Sequence, residues 1–219
     1  MKITSNVFLV GGSSNSDPAD AAVYLIKSGT EAALVDAGTG PGTDRIIKNI
    51  ENAGVTPKNV KYCFVTHCHY DHTGGVNKIR KKTGCSVVAH ELDAVYLESG
   101  DSSVTAALWY GSYFEPVPVD IRVAGREKEF RVGDRAVRFI HAPGHSPGSS
   151  ILTMESDGKL VLFGQDVHGP LNDVLLSDRK EYVKSLEFMI SLEADILCEG
   201  HFGVFAGREK VKDFIESFL

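Results

Sequence analysis

The amino-acid sequence predicts an α/β fold made of two similar halves. Short apolar runs rich in β-branched residues alternate with helical periodicity through residues 21–89, and the same logic returns from residue 137 onward. In both halves, histidines stand directly after an apolar strand.

From the N-terminus, residues 3–10 and 21–26 read as strands, separated by a Gly/Ser/Asn/Asp-rich stretch at 11–20 that reads as a mobile loop. A strand at 32–36 follows the Ser28-Gly29-Thr30 turn. Ile46, Ile47, Ile50 and Ala53 then recur at helical spacing, behind a candidate cap at Thr43 and ahead of a stop at Gly54. Residues 62–65 form a short buried strand, 76–82 a helix ended by Gly84, and 87–89 another strand. Between 90 and 119 the pattern is mostly helical but irregular, and it carries Tyr96, Trp109, Tyr110, Tyr113 and Phe114 ahead of Pro116 and Pro118. This stretch reads as an insertion on the substrate side. In the second half, 137–140, 150–154 and 160–163 read as strands, the last two joined through Ser156-Asp157-Gly158. A helix at 179–192 presents Tyr182, Val183, Leu186, Met189 and Ile190 as one apolar stripe, followed by a strand at 196–198 and an amphipathic helix at 211–219.

With 219 residues, 42% of them hydrophobic, the chain can bury a sizeable core, and a single domain over 1–219 is expected. A net charge of −6 offers no broad basic surface to phosphate backbones, so the expected partner is a small-molecule substrate and not nucleic acid. The first twelve residues hold one lysine and an apolar run too short for a secretory signal. No stretch has the length of a transmembrane helix, so no membrane association is expected. Cys63, Cys68, Cys85 and Cys198 are scattered without a Cys-x-x-Cys pair, which fits a reducing compartment and predicts a cytoplasmic protein. The sequence is silent on oligomeric state and leaves a homodimer open.

The most informative segment is Thr66-His67-Cys68-His69-Tyr70-Asp71-His72-Thr73-Gly74-Gly75, directly after the strand ending at Val65. In an extended loop, residues two apart point the same way, so His67 and His69 can reach one cation while Asp71 and His72 turn toward another. Cys68 lies between them, faces away and reads as inert or supporting. Only eight histidines occur in the chain, so this clustering argues for metal binding over a merely polar surface loop. His145 sits in a loop at 141–149 whose prolines and glycines can aim one imidazole inward. Asp166 ends the apolar run 161–164, where an ionised carboxylate is costly unless a cation or hydrogen-bond donors compensate it; its alternative is a turn or cap. His201 follows Gly200 at another strand end, its alternative being a hydrogen-bonded surface histidine.

Together, the His-x-His-x-Asp-His run, the Gly-His-Ser-Pro-Gly loop at 144–148, Asp166 and the late Gly200-His201 resemble the metallo-β-lactamase superfamily, in particular its glyoxalase II-like hydrolases. The resemblance spans residues 6–201. It implies a four-layer αββα sandwich (α/β, or α+β in some schemes) with two divalent metal ions, zinc or else iron or manganese, at one edge between the sheets. It implies His67, His69 and His145 at the first metal, Asp71, His72 and His201 at the second, and Asp166 as the bridge. Asp36 matches the family's early aspartate, which supports the ligand loop by hydrogen bonds. The chemistry expected is attack on an ester or thioester carbonyl by a hydroxide bridging the two ions, with Asp71 orienting it or carrying its proton.

Glyoxalase II proper carries a C-terminal helical domain that helps to bind glutathione, whereas 18 residues follow His201 here, so no such domain and no glutathione thioester are expected. The family's lactonases are compatible with this length. Trp109, Tyr110, Tyr113 and Phe114, together with His168, are candidates for the substrate pocket. Three other readings carry less support. Persulfide dioxygenases hold a mononuclear iron, but their Cys/Arg/Thr segment is not seen in 167–173. Ribonuclease-type phosphodiesterases fit poorly with the acidic balance, and a binding protein without catalysis fits poorly with an undiminished ligand set.

Overall fold

The computed structural model describes residues 1–219, apart from the side chain of Gln165. The first half contains β1 (Val7–Gly11), β2 (Val23–Ser28), β3 (Glu31–Val35), α1 (Thr43–Asn52), β4 (Val60–Phe64), α2 (Tyr70–Thr73), α3 (Val76–Thr83), β5 (Ser86–His90), α4 (Glu91–Ser99) and β6 (Ile121–Val123). The second contains β7 (Glu127–Val132), β8 (Arg135–His141), β9 (Ser150–Ser156), β10 (Lys159–Gln165), α5 (Arg179–Ser191), β11 (Ile196–Glu199), β12 (Val204–Ala206) and α6 (Arg208–Glu216). The strands form two six-stranded sheets, ordered β1-β2-β3-β4-β5-β6 and β12-β11-β10-β9-β8-β7.

The central strands are apolar on both faces, and the period of two decides where each side chain goes. In β3, Ala32 and Leu34 join the core that packs under α1 and α3, while Ala33 and Val35 join the core between the sheets. In β10, Val161 and Phe163 enter that same central core, while Leu162 packs outward with Tyr182, Leu186 and Met189 of α5. Three apolar layers therefore separate four layers of secondary structure, αββα, as the resemblance implies. Phe64 of β4 meets Phe130 of β7 at 5.1 Å and Phe139 of β8 at 6.4 Å between ring centroids, so aromatic contacts lock the sheets face to face. Truncating a fully buried ring such as Phe64 to alanine would cost roughly 3–5 kcal/mol.

Strand direction places the site. β3, β4, β5 and β6 run parallel, β10 and β11 run parallel, and β8 points the same way as β10 because both are antiparallel to β9. The loops after β3, β4, β8, β10 and β11 gather at one edge, where strand carboxyl ends commonly present ligand-binding groups.

Several local expectations change. The 11–20 loop, expected to be mobile, is tied down: Ser16 Oγ donates to Asp20 Oδ2 at 2.5 Å, and Arg45 Nη1 donates to Ser16 O at 2.9 Å. Thr43 is the first residue of α1 rather than its cap, because its hydroxyl turns back to Gly40 O at 2.8 Å. The 90–119 insertion is helical only at α4 and in a 3-10 turn at Ala107–Tyr110. The last helix starts earlier than expected, at Arg208, and ends at Glu216. Among the described residues no helix is long and apolar enough to cross a membrane.

Candidate metal centre

Asp36 follows β3 in the left-handed region, at φ 63, a conformation that an aspartate tolerates better than most residues. There its Oδ1 accepts Thr66 N at 2.9 Å and its Oδ2 accepts Thr66 Oγ1 and His72 Nδ1, both at 2.8 Å. The Thr66 hydroxyl spends its proton on Asp36, so at 3.1 Å it accepts from His67 Nδ1–H. One carboxylate thereby sets the tautomer of two histidines, leaving the Nε2 lone pairs of His67 and His72 free to face the cluster. Gly75 allows the close approach this requires, since a Cβ there would lie 2.2 Å from Ala37 O.

His67 and His69 leave the end of β4, and His69 caps α2, which carries Asp71 and His72. His145 arrives from the β8–β9 loop, Asp166 from the end of β10, and His201 from the end of β11. The rings of His67, His69 and His145 stand 4.5–4.6 Å apart pairwise. Asp166 lies between this trio and a second one. Its Oδ2 is 3.4 Å from His145 Nε2 and 3.9 Å from His67 Nε2, while its Oδ1 is 3.1 Å from His72 Nε2 and 3.4 Å from His201 Nε2. Asp71 Oδ2 lies 3.1 Å from His201 Nε2 and 3.8 Å from His72 Nε2. All seven residues singled out as ligands from the sequence are brought together.

The electrostatics of the trios differ. Burial, aided by neighbouring imidazoles, holds His67 well below the usual histidine range, and burial pushes His69 down to about 3. Burial also opposes a charge on His72, but Asp166, Asp71 and Asp36 outweigh it and raise the group. His201 is pushed up to about 10: burial opposes, and the neighbouring carboxylates of Asp166 and Asp71 prevail. For Asp166 burial is again the opposing cause, overcome by His72 and by the imidazoles of His145 and His201 within ion-pair distance, so that its carboxyl sits well below the usual range.

The buried Nε2 atoms of His67, His69, His72 and His145 have no hydrogen-bond partner, and neither has Asp166 Oδ1. Burying that many polar atoms unpaired is costly, and nitrogen and oxygen lone pairs aimed at common points are what a divalent cation requires. Ligand atoms of His67, His69, His145 and Asp166 lie within 4.8 Å of one another, as do those of Asp71, His72 and His201. The residues present fit two such ions.

Two further buried carboxylates, not anticipated from the sequence, hold the ligand loops. Asp93 on α4 is 1% exposed; its Oδ2 accepts Cys68 N at 2.8 Å and Ser146 Oγ at 2.6 Å, and its Oδ1 accepts Gly148 N at 2.6 Å. It ties the His67–His69 loop to the His145 loop. Glu199 is fully buried; its Oε2 accepts His201 N at 2.6 Å and Phe202 N at 2.7 Å, and its Oε1 accepts His168 Nδ1 at 2.9 Å. Cys68 is buried, and burial raises its thiol well above the ordinary range, as an inert residue requires. His90 and His141, outside the cluster, stack on each other at 3.7 Å between centroids.

A pocket of 220 Å³ opens from His69, Asp71, Asp166 and His201, and Trp109, Tyr110 and His168 are among its lining residues. Tyr113 is not: it is 84% exposed and stands outside the lining, because the chain turns away at Gly111. Phe114 is also elsewhere, buried in the core under α3 and α4.

A sequence model described as the metallo-β-lactamase superfamily matches residues 17–201. The chain belongs to that superfamily. It is 33% identical over 138 residues to a hydroxyacylglutathione hydrolase of Anaeromyxobacter dehalogenans, covering 63% of this chain and 43% of that protein. It is 28% identical over 230 residues to the acyl-coenzyme A thioesterase MBLAC2 of Bos taurus, covering 90% and 78%. It spans 65% and 66% of the length of two curated probable metallo-hydrolases. Among solved structures, it resembles BJP-1, a subclass B3 metallo-β-lactamase of Bradyrhizobium japonicum, with a TM-score of 0.81, 25% identity and coverage of 100% of this chain and 89% of that one.

Proposed function

We propose that this metallo-β-lactamase superfamily chain is a metal-dependent hydrolase of esters or thioesters, working at a pair of divalent cations. The observation that carries the reading is the set of buried, unpartnered imidazole nitrogens converging on Asp166. His67, His69 and His145 would hold one ion, Asp71, His72 and His201 the other, and Asp166 both. Bound there, the ions would supply Lewis acidity that polarises a carbonyl and brings the pKa of water toward neutrality.

The chain's own residues then do the rest. Asp71, whose carboxylate opens onto the pocket, orients the attacking water and takes its proton. The new carbon–oxygen bond forms from that water, the acyl–sulfur or acyl–oxygen bond breaks, and the proton ends on the leaving thiol or alcohol. Asp36, Asp93 and Glu199 keep the imidazoles in place through hydrogen bonds, so the site needs little reorganisation during the reaction. A thioester is favoured by two relatives whose names describe hydrolysis of acyl groups from glutathione and coenzyme A. Four buried free cysteines suit a reducing cytoplasm.

Elemental analysis of protein purified without added metal, followed by a panel of thioesters, lactones and phosphodiesters, tests this. Bound divalent metal with turnover of acyl substrates is the expected result. Oxygen uptake with a single iron, or cleavage of phosphodiesters alone, would overturn it.

A further inference from the structure

Resting on the acyl-hydrolase reading, we propose that the pocket beside the metal centre receives an uncharged, apolar acyl group, walled by the chain's one tryptophan, Trp109. Among the described residues, Trp109 and Tyr110 are two of the exposed large hydrophobics and both line this opening, with exposed Leu108 beside them in the same 3-10 turn. Scattered exposed apolar residues are ordinary, whereas a concentration around one opening marks a surface that is covered in use. Trp109 and Tyr110 line the pocket from the 3-10 turn, Pro170 and Leu175 line it after β10, and Phe202 packs on His168, which also lines it. Trp109 leaves 53% of its surface exposed at this opening.

The lining chemistry narrows the occupant further. Among the described lining residues there is no lysine or arginine, and beyond the carboxylates and imidazoles of the centre the wall is made of Ala106, Trp109, Tyr110, His168, Pro170 and Leu175. A hydrocarbon loses nothing there and gains contact with Trp109, Tyr110 and Leu175. At 220 Å³ the pocket is smaller than the roughly 300–1,000 Å³ of sites that enclose a whole ligand, so it takes one part of the substrate. The other part has a separate route: a second groove of 220 Å³, lined by the Gly11-Gly12-Ser13-Ser14-Asn15 loop and by Phe202, shares His201 with the first. The scissile bond thus lies by His201, with the acyl chain toward Trp109 and the leaving group toward the Gly/Ser loop.

The test uses two substrate series with the metal-loaded protein and reads Trp109 emission besides. Across thioesters of one thiol, from acetyl to octanoyl, kcat/KM should rise about four-fold per methylene over the first few, the equivalent of about 0.8 kcal/mol each, then level off. Trp109→Ala should flatten that slope; the side chain is surface-exposed, so folding should survive. Acetate esters of lengthening alcohols should show no rise. Tryptophan emission should shift to the blue on adding an inert alkyl ketone, and further as its chain lengthens. A flat or falling acyl series, a rise that follows the alcohol instead, or emission indifferent to the ketone would each overturn the proposal. If no ester is turned over while emission shifts with chain length, the pocket stands and the hydrolase reading falls.

Discussion

The two halves of the metal centre are built from the same kinds of residue yet differ in character. His67, His69 and His145 are buried imidazoles packed edge to face, with Nε2 atoms that have no hydrogen-bond partner. Asp71, His72 and His201 set one carboxylate among two imidazoles, with the His201 side chain 33% accessible at the pocket wall. The difference follows from position. The first trio comes from loops pressed together under α4, while the second includes the end of β11, where the sheet opens to the Gly/Ser loop. The lesson is that burial sets the cost of an empty site and access sets where substrate enters. Under the proposed two-cation reading, a chelator titration should strip the second trio before the first.

The largest expected effect removes what the trios share. Asp166→Ala should abolish turnover and leave one bound metal or fewer, as should His69→Ala, read by elemental analysis alongside activity. Full metal content in both variants would break the shared-carboxylate account. Next is Asp36→Ala, which frees His72 directly and His67 through Thr66, so metal affinity should drop about 10- to 100-fold at both positions in a competition titration.

Asp93→Asn and Glu199→Gln sharpen the contrast. The amide in Asp93→Asn would set a donor against the Cys68 or Gly148 N–H, loosening only the first trio; Glu199→Gln would disturb only His201 in the second. Each should weaken one metal by about tenfold and spare the other. Equal losses at both sites in either variant would show that the halves are not independently supported.

The smallest effect is on the stability of the metal-free protein. His69, held at about 3 in the fold, stays neutral while the unfolded chain takes up a proton, so stability should fall as pH drops from about 6.5 toward 3. His201 has the opposite sign: raised to about 10, its contribution is complete below about 6.5 and is lost as pH rises through 10. Melting temperature should therefore peak near pH 6.5 and decline by a few degrees on either side. In His69→Gln the acid limb should become shallower, and in His201→Gln the alkaline limb should.

Much of this was legible in the sequence because it depends on local order. His67, His69, Asp71 and His72 sit within six positions after one strand, and β3, β4 and β10 announce themselves by the apolar runs at 32–35, 62–65 and 160–163. What stayed hidden depends on distance or on exposure. Asp93 lies on a helix face beside Ala94 and Leu97, and its partners are main-chain groups 25 and 55 positions away and the Ser146 hydroxyl. Glu199 at the end of β11 is likewise read only through the N–H groups it accepts. β7, Glu-Lys-Glu-Phe-Arg-Val, buries only Phe130 and Val132, so an edge strand passes for a polar loop. β12, also at an edge, has none of its three residues fully buried. Tyr113 and Phe114 looked like neighbours of Trp109, and the left-handed Gly111 sends one to solvent and the other to the core.

Anomalous diffraction from crystals of the metal-loaded protein would test the paired centre most directly. Two peaks are predicted, one about 2.0–2.1 Å from nitrogens of His67, His69 and His145, the other at similar distance from His72 and His201, with Asp166 between them. A lone peak away from both trios, or none in protein that hydrolyses acyl substrates, would contradict it.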